Sequence, residues 1–219
     1  MTLAKRAIIV GAGVTTESLL EDLTKWDLEI VVIDLDKSKL DKLTQKYDIL
    51  ALEGDATDID VLKEAGAEKA DLFLANTDSD STNFMLSYQA YKVLGIPKVV
   101  ASIRNPKNLG IFKELGTSIP ISTTRAATDA LLGALVGFSS FQSVSKSWGI
   151  GTYTVTHRSP LANQSPKDFP LPPEQAFIAS VVREGEVVRE PEDIQLVPGD
   201  VLVIFANKAH LGKLAPLLR

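Results

Sequence analysis

The chain has 219 residues, with 23 Lys and Arg against 28 Asp and Glu, for a formal net charge of −5. That balance argues against a general nucleic-acid binder, which carries a basic footprint, and the sparse cluster Lys208, Lys213 and Arg219 reads as a solvated face. No cysteine is present, which excludes disulfides and thiolate metal sites, and 45% hydrophobic with 23% charged residues is the mix of a packed domain.

A short basic start runs directly into the first strand pattern, without the apolar region and cleavage site of a secretory leader, so a cytoplasmic location is expected. From there, apolar β-branched runs alternate with helical stretches: AIIVGAG and Thr15 to Lys25; EIVVID and Lys37 to Lys46; ILALEG and Ile59 to Ala65; DLFLAN and Ser81 to Leu94; KVVASI and Leu109 to Leu115; SIPIS and Ala126 to Val136. Six such βα units predict an α/β fold, a Rossmann-type doubly wound parallel six-stranded sheet with helices on both faces. The longest apolar run, Ala130 to Phe138, is interrupted by Gly133 and Gly137 and is too short for a membrane span.

Ser139 to Gly151 is rich in Ser and Gly and reads as a connection. Beyond it TYTVTH, FIASVVRE, EVVR and DVLVIFA are short alternating strands, separated by turns such as Glu184-Gly185-Glu186 and Pro198-Gly199-Asp200. A Pro-rich loop, Ser165 to Pro173, and a terminal helix, Lys208 to Leu218, complete a small α+β unit. Residues 1–140 carry 15 basic and 20 acidic side chains and residues 141–219 carry 8 of each, so the negative excess lies in the first part. Two domains are expected, 1–140 and 141–219.

Gly11-Ala12-Gly13 follows the first strand and opens the first helix, where a G-x-G turn lets the backbone approach a pyrophosphate. Thr16 occupies the position of the third glycine, with a hydroxyl that can cap or contact phosphate. Asp34 ends strand two, 21 residues after Gly13, near the spacing at which a carboxylate meets adenosine ribose hydroxyls and repels a 2′-phosphate. This favours NAD or an adenine nucleotide over NADP. Strand three ends in Glu53-Gly54-Asp55-Ala56-Thr57-Asp58 and strand four in Asn76-Thr77-Asp78-Ser79-Asp80, both at the carboxyl edge where such folds bind ligands. Each segment also reads as a helix N-cap, through Thr57 or Asp58 and through Asp78 or Ser79.

GAGVTTESLLEDL, VVIDLD, ALEGDATDIDVLKEAGAEKADLFLANTDSDSTN, VVASIRNPKNLGIFKELG and SPLANQS…FIASVVREGEVV…LVPGDVLVIFA together resemble the RCK (KTN) family of Trk/Ktr-type regulators of potassium channels and transporters. The resemblance covers nearly the whole chain. It implies a phosphate-binding loop at Gly11, Ala12, Gly13, Val14 and Thr15, a ribose ligand at Asp34, an adenine wall at Asp55, Ala56 and Thr57, and contacts beside the phosphates or distal ribose at Thr77 and Asp78. Arg104 resembles an anion or interface contact, with an exposed strand-end arginine as the alternative. Val14 and Ser102 stand where some relatives carry basic residues, so NAD(H), AMP or ADP is implied ahead of ATP. The resemblance further implies a homo-oligomer, dimers assembling into a ring, docked on a membrane-embedded potassium transporter or channel subunit, with no nucleic-acid partner. Nucleotides would shift the ring between hinge states through differential affinity.

The rival reading is an NAD-dependent oxidoreductase, because Tyr88-x-x-x-Lys92 has a spacing used for proton transfer. The pair sits earlier in the chain than that chemistry places it and reads as an ordinary i, i+4 helix pair. His157 and His210 read as surface or packing residues, and Trp26 and Trp148 as packing anchors. No carboxylate-histidine cluster or nucleophile motif appears, so neither catalytic nor metal-ligating residues are assigned. A third reading is a nucleotide sensor for another ion transporter.

Overall fold

The computed structural model describes residues 5–116, 118–189 and 191–219, apart from the side chains of 115 and 192. Two compact units, Met1–Thr124 and Arg125–Arg219, make up the chain.

The first unit carries β1 (Arg6–Val10), α1 (Val14–Leu23), β2 (Glu29–Asp34), α2 (Lys37–Lys46), β3 (Leu50–Glu53), α3 (Ile59–Glu64), β4 (Leu72–Ala75), α4 (Asp80–Tyr88), β5 (Lys98–Ile103), α5 (Leu109–Leu115) and β6 (Ile119–Ser122). The strands form a parallel sheet in the order β3-β2-β1-β4-β5-β6, the six-stranded doubly wound topology expected of the βα repeat. Ile8 and Val10 enter one core with Val31, Ile33 and Phe73. Ile9 enters the opposite one with Ile30, Val32, Leu20 and Leu40. Burial on both faces is why these strands read as unbroken apolar runs. On the first of these faces α4 and α5 meet through Phe84 and Phe112, whose rings pack edge to face at 5.2 Å.

Helix starts follow the side chains that satisfy their free N–H groups. Asp36 accepts from Ser38 N–H, Asp58 from Asp60 N–H and Ser79 from Thr82 N–H. Beyond α4 the chain continues as a π-helical turn, Gln89–Val93. Trp26, expected to anchor packing, is 61% exposed, because it follows the end of α1 in the turn before β2, outside both cores.

The second unit holds all but the first two residues of α6 (Thr123–Val136), then β7 (Ser140–Ser143), β8 (Trp148–Thr154), β9 (Ala176–Arg183), β10 (Glu186–Val187), β11 (Val201–Asn207) and α7 (Leu211–Leu214). Its sheet is antiparallel, in the order β10-β9-β11-β8-β7. Helix α6, grouped by sequence texture with the first domain, packs within this unit: the Asp129 carboxylate accepts from Ser143 N–H at 2.8 Å and Ser143 O–H at 2.9 Å. The Ser/Gly-rich connection proves to be strand. Gly149 and Gly151 alternate inward beneath Phe141 and Phe138, where a Cβ would come within 2.2 and 2.6 Å of the rings. The terminal segment is shorter in helix than expected: a 3-10 turn, Lys208–His210, precedes the single α-helical turn of α7, whose Leu211 and Leu214 are buried. Asp200, its side chain fully buried, receives Arg183 at 2.7 and 2.8 Å and Val197 N–H at 2.8 Å, fixing the Pro198-Gly199 turn.

Candidate functional site

A cleft of about 280 Å³ opens at the carboxyl ends of β1, β2, β3 and β4. It spans the point between β1 and β4 where the strand order reverses, the place where doubly wound sheets receive ligands. Its floor is the turn between β1 and α1. Gly11 N–H donates to Ile33 C=O at 2.8 Å, and Gly11 has φ +106° with a would-be Cβ 2.3 Å from the Asn76 carbonyl oxygen. Only glycine fits both constraints. Gly13 is the N-cap of α1 and offers no side chain, so the first-turn N–H groups of the helix lack a side-chain partner.

Asp34 faces this turn from the end of β2. One oxygen accepts Ala12 N–H at 2.6 Å and the other Asp36 N–H at 2.9 Å, which couples the carboxylate directly to the glycine turn. The β3 loop is shaped by Asp55, which accepts Thr57 O–H at 2.7 Å and N–H at 2.9 Å. These two bonds, the hydroxyl first, hold the Asp55 carboxyl below its ordinary range. Ala56 is buried, and Gln89 at the start of the π-helical turn donates to Thr57 C=O at 2.9 Å.

The β4 loop is set by Asn83, which is fully buried. Its carboxamide oxygen accepts Thr77 N–H at 2.9 Å and Thr77 O–H at 2.7 Å. Its amide nitrogen donates to Thr77 C=O at 3.1 Å and Ser102 C=O at 2.9 Å. Asp78 pairs with Arg104 at 2.8 Å, with both side chains well exposed, so the pair contributes little to stability. Asp80 gathers the β5 loop through Arg104 N–H at 2.7 Å, Asn105 N–H at 3.0 Å and the Asn108 amide at 2.8 Å. Burial alone would raise the Asp80 carboxyl, and those bonds together with the Arg104 charge hold it below its ordinary value.

Of the residues singled out in the sequence, Gly11, Gly13, Asp34, Asp55, Ala56, Thr57, Thr77 and Asp78 line the cleft. Ala12 lies beneath it and meets Asp34 through its backbone, Val14 is 81% exposed, and Arg104 stands beside Asp78 at the rim. Thr15 faces away from the cleft, into an apolar groove shared with Leu19, Leu74 and Val100. Thr16 does not reach a phosphate position: it is fully buried and donates to Gly11 C=O at 2.5 Å. The sequence reading missed Lys39, whose signal was its place in the first turn of α2, and Thr82, and it named Asn76 and Ser79 within the strand-four segment without giving either a ligand role. Lys39 is the one basic side chain among the described cleft residues.

The Tyr88-x-x-x-Lys92 pair does not form a site. Lys92 lies over the Tyr91 ring at 5.1 Å, neither Tyr88 nor Lys92 lines the cleft, and the π-helical turn interrupts the spacing between them. Among the described residues no group of three or more His, Cys, Asp or Glu could hold a metal ion, and no helix is long and apolar enough to cross a membrane.

Fold and cleft together define a Rossmann-type α/β domain with a ligand-sized opening at its switch point, followed by a small antiparallel-sheet domain. The TrkA-N domain model matches residues 7–123 and the TrkA-C domain model residues 150–219, and the chain belongs to this TrkA family of RCK-type proteins. It is similar to the Trk system potassium uptake protein TrkA of Vibrio alginolyticus, with 38% identity over 104 residues, 48% of this chain and 23% of that protein. It is also similar to the protein of the same name from Mycobacterium tuberculosis (strain CDC 1551 / Oshkosh), with 25% identity over 97% of this chain and 98% of that one. The chain spans 46% to 49% of relatives from Methanosarcina mazei and Archaeoglobus fulgidus. Among solved structures, the GsuK channel bound to NAD shares the fold at a TM-score of 0.63, with 19% identity over 98% of this chain and 39% of that one.

Proposed function

We propose that the chain is a nucleotide-binding, non-enzymatic regulatory subunit of a membrane potassium uptake system. In this reading it works at the cytoplasmic face, as dimers assembled into a ring on a membrane-embedded transporter or channel subunit. An adenine nucleotide, NAD(H), AMP or ADP ahead of ATP, occupies the cleft, and its differential affinity for two hinge states of the ring gates transport. The observation that carries the reading is the meeting, in one cleft at the sheet's switch point, of the Gly11–Gly13 turn and the Asp34 carboxylate. Membership of the TrkA family and the fold shared with the NAD-bound GsuK channel support it.

The residues proposed to hold the ligand are the turn Gly11, Ala12 and Gly13 for phosphate, Asp34 for the ribose, Asp55, Ala56 and Thr57 for the base, and Thr77 and Asp78 for the distal part. Arg104 acts through Asp78, and Val14 and Thr15 shape the turn without facing the ligand. The test is calorimetric titration with NAD, NADH, AMP, ADP, ATP and NADPH, alongside thermal unfolding, since a ligand of the folded state raises its stability. Saturable binding without turnover is expected, weakened by ~1–3 kcal/mol in Asp34→Ala. Turnover of any of them, or unchanged affinity in that variant, overturns the assignment. Restoration of potassium uptake in cells lacking the chain tests the transport half of the proposal.

A further inference from the structure

Thr16 stands where the dinucleotide fingerprint places its third glycine, and the reason lies in one side chain across the sheet. The Thr16 hydroxyl donates to Gly11 C=O at 2.5 Å. A carbonyl only accepts, so the hydroxyl proton is committed, and Thr16 can offer a neighbour nothing but a lone pair. Asn76, 2.9 Å away, therefore turns its amide N–H toward Thr16 and its carboxamide oxygen away from it. That oxygen has no protein partner among the described residues. The Asn76 backbone is equally fixed, with N–H to Val10 C=O at 2.8 Å and its carbonyl against Gly11.

Asn76 also borders two openings at once, the cleft and the apolar groove, whose rim adds Thr15, Ser102 and Thr123. An acceptor of set direction thus belongs to a residue that borders both. Phosphate oxygens only accept and would oppose it, as would the nearby Asp78 carboxylate, whereas ribose hydroxyls or a carboxamide N–H would satisfy it. Resting on the nucleotide reading above, we infer that the Thr16–Asn76 pair is the specificity element of a second subsite. That subsite takes the riboside half of an adenine dinucleotide, carrying hydrogen-bond donors, in preference to further phosphate. Thr16 is a positioning residue, and Asn76 meets the ligand.

The test compares AMP, ADP, ATP and NAD by calorimetry on the full chain and on Asn76→Ala and Thr16→Val. The wild-type chain is expected to bind NAD more tightly than ADP. Asn76→Ala should weaken NAD about tenfold, the worth of one such hydrogen bond, with AMP and ADP held within about twofold. Thr16→Val keeps the volume, removes the hydroxyl that orients the amide, and should lower NAD affinity selectively in the same way. Unchanged NAD affinity in Asn76→Ala, or equal losses for NAD and AMP in both variants, overturns the subsite while leaving the nucleotide reading standing. Failure of the wild-type chain to bind any of AMP, ADP, ATP and NAD overturns that reading and the subsite with it.

Discussion

Asn83 offers the sharpest test of how the cleft is held. Leucine at this position keeps most of the side-chain volume and removes every polar atom, leaving Thr77 N–H, Thr77 C=O and Ser102 C=O without their partner. The two Thr77 groups belong to a half-buried residue on the cleft wall and can recover water, so each loses about 1 kcal/mol. Ser102 is buried, and its carbonyl carries a larger share of the desolvation penalty, up to about 2 kcal/mol. Asn83→Leu is therefore expected to destabilise the first unit by ~3–4 kcal/mol. Two compact units need not unfold as one, so the assay is urea unfolding with amide exchange read separately for β4 and β11. Protection of β4 should fall by the full amount and that of β11 should stay. A loss below about 1 kcal/mol would show that the Thr77 loop supports itself, and would refute the argument.

Gly11→Ala places a side chain at φ +106° and against the Asn76 carbonyl, and should cost about 3 kcal/mol or more; an unchanged melting temperature refutes this. The Asp200 carboxyl is held below its ordinary value, because the Arg183 bonds, Val197 N–H and the Arg183 charge outweigh burial, which alone would raise it. A folded-state pKa below the unfolded one gives stability that is present above the unfolded value, about 3.9, and lost as the pH falls through the folded one. Acid unfolding of the second unit should therefore begin near pH 4 and continue below it, and a flat profile there counts against the pair. Gln89 donates to Thr57 C=O while its own carboxamide oxygen is buried without a partner among the described residues. Gln89→Met removes one bond and one unsatisfied acceptor together, so the change in unfolding free energy should stay within about 1 kcal/mol; a loss above about 2 kcal/mol means the Thr57 bond carries more than the orphaned oxygen costs.

The parallel sheet was legible because its inner strands, β1 and β2 above all, are buried on both faces and each βα turn carries its own chemistry. Gly11, Asp58 and Ser79 announce a turn and two helix starts within a few residues of sequence. What stayed hidden depends on pairs distant in the chain. Nothing local links Thr16 to Asn76, 60 residues apart, or Asn83 to Ser102, 19 apart; the sheet order brings them together. The β7–β8 hairpin was hidden for a different reason. Gly149 and Gly151 read as linker residues by composition, yet each is glycine because an aromatic ring occupies the space a Cβ would need. Trp26 misled in the opposite sense, since size alone does not place a residue in a core when it falls in the turn beyond a helix end.

Each loop lining the cleft or standing at its rim is held by a side chain from another element. Asp34 holds Ala12, Gln89 holds Thr57, Asn83 holds Thr77, and Asp80 holds Arg104. Loop positions are thereby tied to strand register, and binding is linked to the stability of the first unit. A ligand at a hundred times its dissociation constant adds about 2.7 kcal/mol, close to what the Asn83 network contributes. In the proposed reading, nucleotide binding and these cross-braces act on the same folding equilibrium with comparable force. A chain weakened at one brace should regain most of its protection when the cleft is filled, and the two loops that meet at Asp78 and Arg104 are where such a difference would first be felt.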